Sequence, residues 1–375
     1  MKILMALLAL SLGLAAPARD FFVFVGTYTN ALSRGIYVSR LDAATGKLSD
    51  PELAAETPNP SFLAISPGQK CLYAANEVSR FDGEKAGAVS AFALDRKTGH
   101  LAFLNQKSAG GDSPCHVSTD GTGNALLVAN YGGGSVKSFL LNGDGSIGAE
   151  GSYILHHGSS VNPSRQTGPH AHSLYADPSN RFALACDLGT DKVMIYRLNP
   201  AAGTLAEAAF ATVPLGSGPR HLTFSADGKF LHVLNEMGAS VSTFAWNAET
   251  GTMDLVETVS ALPADVPLQP GFTAAEIVTT GKYVYTSIRG HDSVSVFSAD
   301  LRTGRLQFRQ NVSAGGKVPR GLGVDPTGHW LLAGNQNSDN VAEFAIHPQT
   351  GRLSATGREL EIGSPVDVKF VERTK

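Results

Sequence analysis

Hydrophobic positions along this chain come in short bursts, each a strand's length, separated by turns rich in Gly, Asp and Asn. "PRHLTFSADGKFLHVLNE", Pro219 to Glu236, shows the unit clearly. A short apolar strand runs into an Asp227-Gly228 turn, and an alternating strand follows with Phe230, His232 and Leu234 on one face. "SVSTFAWN" supplies a third strand, and a Thr250-Gly251 turn leads into a fourth.

The Thr-Gly turn with its apolar tail is a repeat. It occurs as Thr45-Gly46-Lys47-Leu48, Thr98-Gly99-His100-Leu101, Asp144-Gly145-Ser146-Ile147 and Ala202-Gly203-Thr204-Leu205. It returns as Thr250-Gly251-Thr252-Met253, Thr303-Gly304-Arg305-Leu306 and Thr350-Gly351-Arg352-Leu353. A period of about 50 residues marks a propeller or a solenoid, and four antiparallel strands per period make a propeller blade. First strands begin near Pro60, Pro114, Pro169, Pro219, Gly271, Pro319 and Pro365. The last of them, "PVDVKFV", has no strands after it, whereas residues 21 to 58 supply strands without a first one. Joining the two leaves no open sheet edge in the ring. The expected fold is all-β: a seven-bladed β-propeller, four antiparallel strands per blade, closed by the C-terminal strand, forming one domain over residues 19–375.

Composition narrows the function classes. Glycine is abundant (41), as many tight turns require, and charged residues are only 17% with a formal net charge of −3. No basic field invites nucleic acid. The N-terminus reads as a signal peptide over residues 1–18: Lys2, the apolar run Ile3 to Leu14, and the small-x-small site Ala16-Pro17-Ala18. That run is too short to span a bilayer. The mature chain is therefore expected to be exported, periplasmic or secreted, free of the membrane, with a monomer as the favoured form. Three cysteines, Cys71, Cys115 and Cys186, include no C-x-x-C pair. Buried free thiols are expected, with a Cys115–Cys186 bridge left open in an oxidising compartment.

Reflecting each first and second strand about its turn brings the start of one and the end of the other to the same rim. Aligned this way, the first strands present Ser61, Cys115, His172, Arg220, Thr273, Arg320 and Val366. The second strands present Glu77, Tyr131, Asp187, Glu236, Arg289 and Gln336, usually after an amide such as Asn76, Asn130, Asn235 or Asn335. Turns and apolar positions repeat from blade to blade, whereas these rim positions diverge into His, Arg, Glu, Asp and Tyr. Ionisable groups converging on a concave channel mouth mark the expected binding site.

Other motifs add little. His170-x-His172 lacks a third ligand unless Asp187 serves, and neither a His-Glu-x-x-His nor a Gly-x-Ser-x-Gly pattern occurs, so no metal or other cofactor is expected. "YGGGS", Tyr131 to Ser135, reads as a blade hairpin rather than a phosphate loop. Water attack is favoured over a serine nucleophile.

Taken together, "GPHAHSLYADPSNRFALACDLGTDKV", "GPRHLTFSADGKFLHVLNE", "SPCHVS…LLVANYGGGSV", "AAEI…SIRGHDSVSVF" and "PRGLGVDPTGHWLLAGNQNSDNV" resemble the seven-bladed propeller lactonases. That family includes bacterial 6-phosphogluconolactonases and fungal carboxy-muconate lactonising enzymes, and the resemblance covers about Phe22 to Val371. It implies hydrolysis of a small-molecule sugar lactone in the central cleft. The fungal branch's active-site set falls on His172, Arg220, Glu236 and Arg289. Glu236 or His172 would then be the base, with Glu236 preferred, and the two arginines would hold the oxyanion or an anionic substituent. His170, Glu77, Tyr131, Asp187, Glu276, His291, Arg320 and Gln336 are the expected substrate-binding residues. His116 and His221 are secondary candidates, with His221 packed or bonded between blades on the opposite sheet face from Arg220. An export signal favours an unphosphorylated lactone. A muconate-type cycloisomerase and a non-enzymatic binding propeller are the alternatives.

Overall fold

The computed structural model describes residues 19–374; the expected signal peptide, residues 1–18, lies outside the described residues. The described chain forms seven sheets. Blades one to six start at Pro60–Ile65, Pro114–Thr119, Ala171–Ala176, Pro219–Phe224, Thr273–Thr279 and Pro319–Val324, each followed in order by three antiparallel partners. The seventh sheet joins Pro365–Glu372 to Asp20–Thr27, so the two ends of the chain close the ring as the repeat count predicts. Its outermost strand is split into Lys47–Leu48 and Glu52–Glu56 around Pro51, which has no N–H to give the ladder.

Seven apolar clusters fill the seven gaps between neighbouring blades. Phe139, Tyr73 and Val128 sit between blades one and two; Phe244, Phe182 and Trp246 sit between three and four. Because each sheet is covered on both faces, second strands such as Phe230–Asn235 and Ala125–Asn130 are buried throughout. The expected polar/apolar alternation at Phe230, His232 and Leu234 therefore does not correspond to an exposed face. All seven repeat glycines have positive φ, for example Gly251 at 71°. A Cβ on Gly251 would come within 2.2 Å of the Phe182 ring, so this turn has both the conformation and the space of glycine.

His232 is a consequence of this double burial. It is 1% exposed, hydrogen-bonded through Nδ1 to Thr243 Oγ1 at 3.0 Å, and burial pushes its pKa down to about 4. The unfolded chain takes up a proton first, near pH 6.5, so stability is complete above that pH and drains as pH falls towards 4. Urea unfolding at pH 7 and pH 5 should show wild type losing roughly 1–2 kcal/mol more than His232→Gln over that interval, from a slope of about 1.4 kcal/mol per pH unit. Equal losses would mean that His232 titrates normally in the fold.

The feature that positions the site is a bulge repeated in every blade. Pro219 pairs with Asn235 and His221 with Leu234, so Arg220 is left without a partner. Ser61, Cys115, His172, Arg320 and Val366 are skipped in the same way. A β-bulge kinks the strand and re-aims its side chains. First strands of successive blades lie against one another around the axis, which brings the skipped residues to one mouth of the central channel. At the other end lies a separate cavity of about 530 Å³, lined by Phe62, Tyr175, Glu276 and Lys369 among others.

Candidate active site

Glu236 is the hub of the mouth. It ends the second strand of blade four, and its backbone N–H donates to Gly218 O, which fixes the strand end beside the bulge. Its carboxylate is 5% exposed and faces four basic side chains from three blades and a loop. Arg289 Nη2 lies 3.0 Å from Oε2, Arg220 Nε 3.2 Å from the same oxygen, and Arg165 Nη2 2.9 Å from Oε1. His172 Nε2 is 3.8 Å from Oε2. The other three residues that sequence reasoning placed in one catalytic set with Glu236 thus all meet at its carboxylate.

The arginines are also tied to the scaffold. Arg220 Nη1 donates to Ala275 O and Arg289 Nη2 to Ala274 O, so both guanidinium groups are anchored on the first strand of blade five. Next to this hub, Arg320 Nη2 donates to Tyr28 OH at 2.8 Å, and Tyr28 donates on to Glu77 Oε2 at 2.8 Å. On the opposite flank, Tyr131 stacks on His170 with ring centroids 4.5 Å apart, and its hydroxyl accepts from Arg165 Nη2 at 2.9 Å.

Electrostatics divide the candidate bases. Burial raises the Glu236 pKa, but Arg289, His172, Arg220 and Arg165 outweigh it and hold the carboxyl far below the usual carboxylate range. Burial, together with the Arg220 and His221 fields, pushes His172 well below 6.5, so its ring is neutral at physiological pH. Arg289 is lowered to about 10 by burial, with Arg220 and Arg320 adding to the shift despite Glu236, and it remains cationic at neutral pH. Four guanidinium groups against the carboxylates of Glu236 and Glu77 leave the mouth with surplus positive charge.

Several expected residues lie elsewhere. The register places Asp187 opposite Ala171, in the column occupied by Asn76, Asn130, Asn235 and Asn335, one residue short of the rim. It is fully buried. Its Oδ1 accepts the backbone N–H groups of His170, Gly189 and Thr190, and its Oδ2 lies 2.6 Å from His156 Nδ1. Asp187 therefore anchors a rim loop instead of contacting a ligand. Thr273 pairs directly with Arg289, and the bulge of blade five falls on Ala275 and Glu276 opposite Ser287. Because of the bulge, His221 also faces the channel, against the expectation that it would point to the opposite sheet face. It is in contact with Arg220 at 3.3 Å and bonded to Glu276 Oε1 at 2.8 Å in the next blade, the inter-blade partner expected for it. Glu276 accordingly belongs to a deeper layer and pairs with His221, not with Arg289 or Arg320. His116, also buried, packs in that layer against Phe62 and Tyr175. His291 bonds Ser293 and stands on Phe272, and the Gln336 side chain makes no hydrogen bond to this cluster.

The cysteines are all free and buried, so the Cys115–Cys186 bridge does not form. Cys115 lies 3.6 Å from His172 Nδ1 in the channel, while Cys186 packs in the core between blades three and four. His170 and His172 diverge, the first to Tyr131 O and the second to Glu236, and with Asp187 saturated they do not frame a cation site.

Two residues escaped the sequence reading. Tyr28 occupies, in the closing blade, the position of Glu236, because Thr27 pairs with Pro365 as Asn235 pairs with Pro219. Carrying the alignment through "FVGTYT" would have found it. Arg165 sits in the connection spanning 156–170, which is longer than its counterparts at 109–113, 213–218, 261–272 and 314–318, so the repeat offers no residue aligned with it.

Comparison with known proteins places the fold in a family. Residues 22–370 match the family model described as "Lactonase, 7-bladed beta-propeller". The 6-phosphogluconolactonase of Bacillus subtilis is 35% identical over 350 residues, covering 93% of this chain and 98% of the relative. That of Formosa agariphila is 30% identical over 348 residues, covering 91% and 96%. The solved structure of the periplasmic gluconolactonase of Pseudomonas aeruginosa superposes with a TM-score of 0.88 at 35% identity, covering 95% of this chain and all of that one. The chain belongs to the seven-bladed β-propeller lactonase family, whose named relatives here are sugar-lactone hydrolases.

Proposed function

We propose that this protein hydrolyses a sugar lactone at the Glu236 hub, with His172 as the general base and Glu236 as the carboxylate that organises the arginines. The observation that carries this assignment is the difference between the two candidate bases. Glu236, held by three guanidinium groups, is a poor proton acceptor; His172 is neutral and buried beside it. The 3.8 Å between His172 Nε2 and Glu236 Oε2 exceeds direct hydrogen-bond length and is a span that one bridging water closes.

In the proposed step that water attacks the lactone carbonyl carbon and gives its proton to His172 Nε2. The carbonyl oxygen becomes an oxyanion facing Arg220 and Arg289, charges fixed in place by their bonds to blade five. Collapse breaks the acyl–oxygen bond of the ring, and the departing alkoxide takes the proton back from His172. One water is consumed, and the product is a hydroxy acid that ionises to a carboxylate. Glu236 stabilises the transient imidazolium at 3.8 Å, which compensates for the low basicity that burial gives the ring.

Single-turnover hydrolysis in H₂¹⁸O tests the chemistry. One ¹⁸O in the product carboxylate, none in the new hydroxyl and no acyl-protein mass would support water attack at the acyl carbon. Label in the hydroxyl, or an acylated protein, would refute it. Lactonisation of a carboxy-muconate in place of lactone hydrolysis would favour cycloisomerase chemistry. Export through residues 1–18 is part of the proposal and fits the periplasmic location named for the Pseudomonas aeruginosa neighbour.

A further inference from the structure

We infer that Cys115 is a positioning residue for the proposed base: its sulfur accepts the Nδ1–H of His172 and so leaves Nε2 bare, facing the attacking water. The inference rests on the reading of His172 as the base and adds what sets the tautomer of that ring.

A neutral imidazole carries one proton and accepts another only at its bare nitrogen. His172 can therefore act at Nε2 only while its own proton sits on Nδ1. The Glu236 carboxylate, 3.8 Å from Nε2, pulls the other way, because an Nε2–H would point at an acceptor. Which ring nitrogen is protonated is set by the hydrogen bond that the other one makes. Among the described residues, the Cys115 sulfur, 3.6 Å from Nδ1, is the only hydrogen-bond partner of this ring.

The bulge explains how the sulfur comes to be there. Blade two pairs Pro114 with Asn130 and His116 with Ala129, so Cys115 is the skipped residue and turns towards blade three. Its thiol donates to His172 O at 3.3 Å, with Ala171 O further off at 3.9 Å. With the thiol proton engaged on a carbonyl, the lone pairs of the sulfur are what it offers Nδ1. Burial, with the Glu77 field adding to it, pushes the Cys115 pKa up, so the group stays a thiol. The ring is held in place by Tyr131 and His221, which meet it edge to face with centroids 5.4 and 5.2 Å away. An uncharged sulfur thus sets the tautomer without placing a second negative charge beside Glu236.

Long-range ¹H–¹⁵N spectra of histidine-labelled protein read the tautomer directly, with the His172 signals assigned by their loss in His172→Gln. Wild type should show a protonated Nδ1 and a bare Nε2. Cys115→Ala removes the acceptor, and losing one modest hydrogen bond should shift the tautomer ratio about 2–10-fold towards Nε2–H. The single-turnover rate on the lactone should fall by up to the same factor with KM little changed, because only the Nδ1–H form takes the proton of the water. Cys115→Val, which fills the space but has no lone pair, should behave like Cys115→Ala, whereas the Cys115→Ser hydroxyl should restore most of both readouts. His156, clamped between Asp187 Oδ2 and Tyr196 OH at 2.6 Å on each side, is the folding control, and its signals should not move in any variant. A wild-type ring protonated at Nε2, or a ratio unchanged in Cys115→Ala and Cys115→Val, overturns the inference even if turnover falls, since Cys115 would then only fill space. A shifted ratio with an unchanged single-turnover rate overturns it too. Wild type inert on every lactone defeats the lactonase reading instead, and the ring spectra still decide whether Cys115 sets the tautomer.

Discussion

Glu236→Gln is expected to lose about 10²–10³-fold in kcat and roughly 3–5 kcal/mol of stability together. The two losses share one origin. Glutamine fills the same space but carries no charge, which leaves Arg220, Arg289 and Arg165 crowded at the mouth without the carboxylate that now lies 2.9–3.2 Å from each. Removing one partner of a buried ion network exposes the remaining charges to their full desolvation cost, so the stability term is large even though the network itself need not stabilise the fold. Urea unfolding and steady-state kinetics on the same preparation measure both. In Glu236→Ala, where truncation leaves room for it, a small anion such as formate should recover part of the lost stability by standing in for the carboxylate. Wild-type stability with unimpaired turnover would mean that Glu236 does not organise the arginines.

His172→Gln is expected to lower kcat by about 10²–10⁴-fold with KM changed only a few-fold, the pattern of a missing proton acceptor in the chemical step. The pH profile adds a second readout. Burial and the Arg220 and His221 fields keep His172 neutral well below pH 6.5, so the base stays competent as the medium is acidified. Wild-type kcat should therefore hold its plateau through pH 6.5 and fall only at distinctly lower pH. An acid limb centred near 6.5 would point to an ordinary histidine in solvent. A His172→Gln enzyme with wild-type kcat would return the base to Glu236.

Much of this was readable from the sequence because a propeller writes its geometry as a repeat. The Thr-Gly and Asp-Gly turns set the blade count, and the unmatched ends of the chain set the closure; Pro365–Glu372 beside Asp20–Thr27 confirms both. Part of the hub also came from the repeat, since His172, Arg220 and Glu236 stand where rim positions stop resembling one another; Arg289, aligned with Glu236 in the sequence, pairs with Thr273 in the column of Asn235 and reaches Glu236 by the length of its side chain. The misplaced residues have physical reasons. A bulge inserts one residue without altering local composition, so alternation assigned His221 to the wrong face and Thr273 to the bulge that Ala275 and Glu276 occupy. Asp187 takes the anchoring role of an asparagine because a carboxylate accepts several backbone N–H groups at once, which composition alone cannot separate from ligand binding. Arg165 was invisible because its inter-blade connection, 156–170, is longer than its counterparts, so no residue of another blade aligns with it.

The most direct measurement is proton release in a pH-stat as purified protein turns over δ-gluconolactone, its 6-phosphorylated form and a C6-carboxylated lactone, each corrected for spontaneous opening. Wild type should release one proton per lactone opened, well above the uncatalysed rate on at least one substrate, and His172→Gln should remove most of that excess. Wild type indistinguishable from the uncatalysed rate on all three lactones would contradict a lactonase at this mouth.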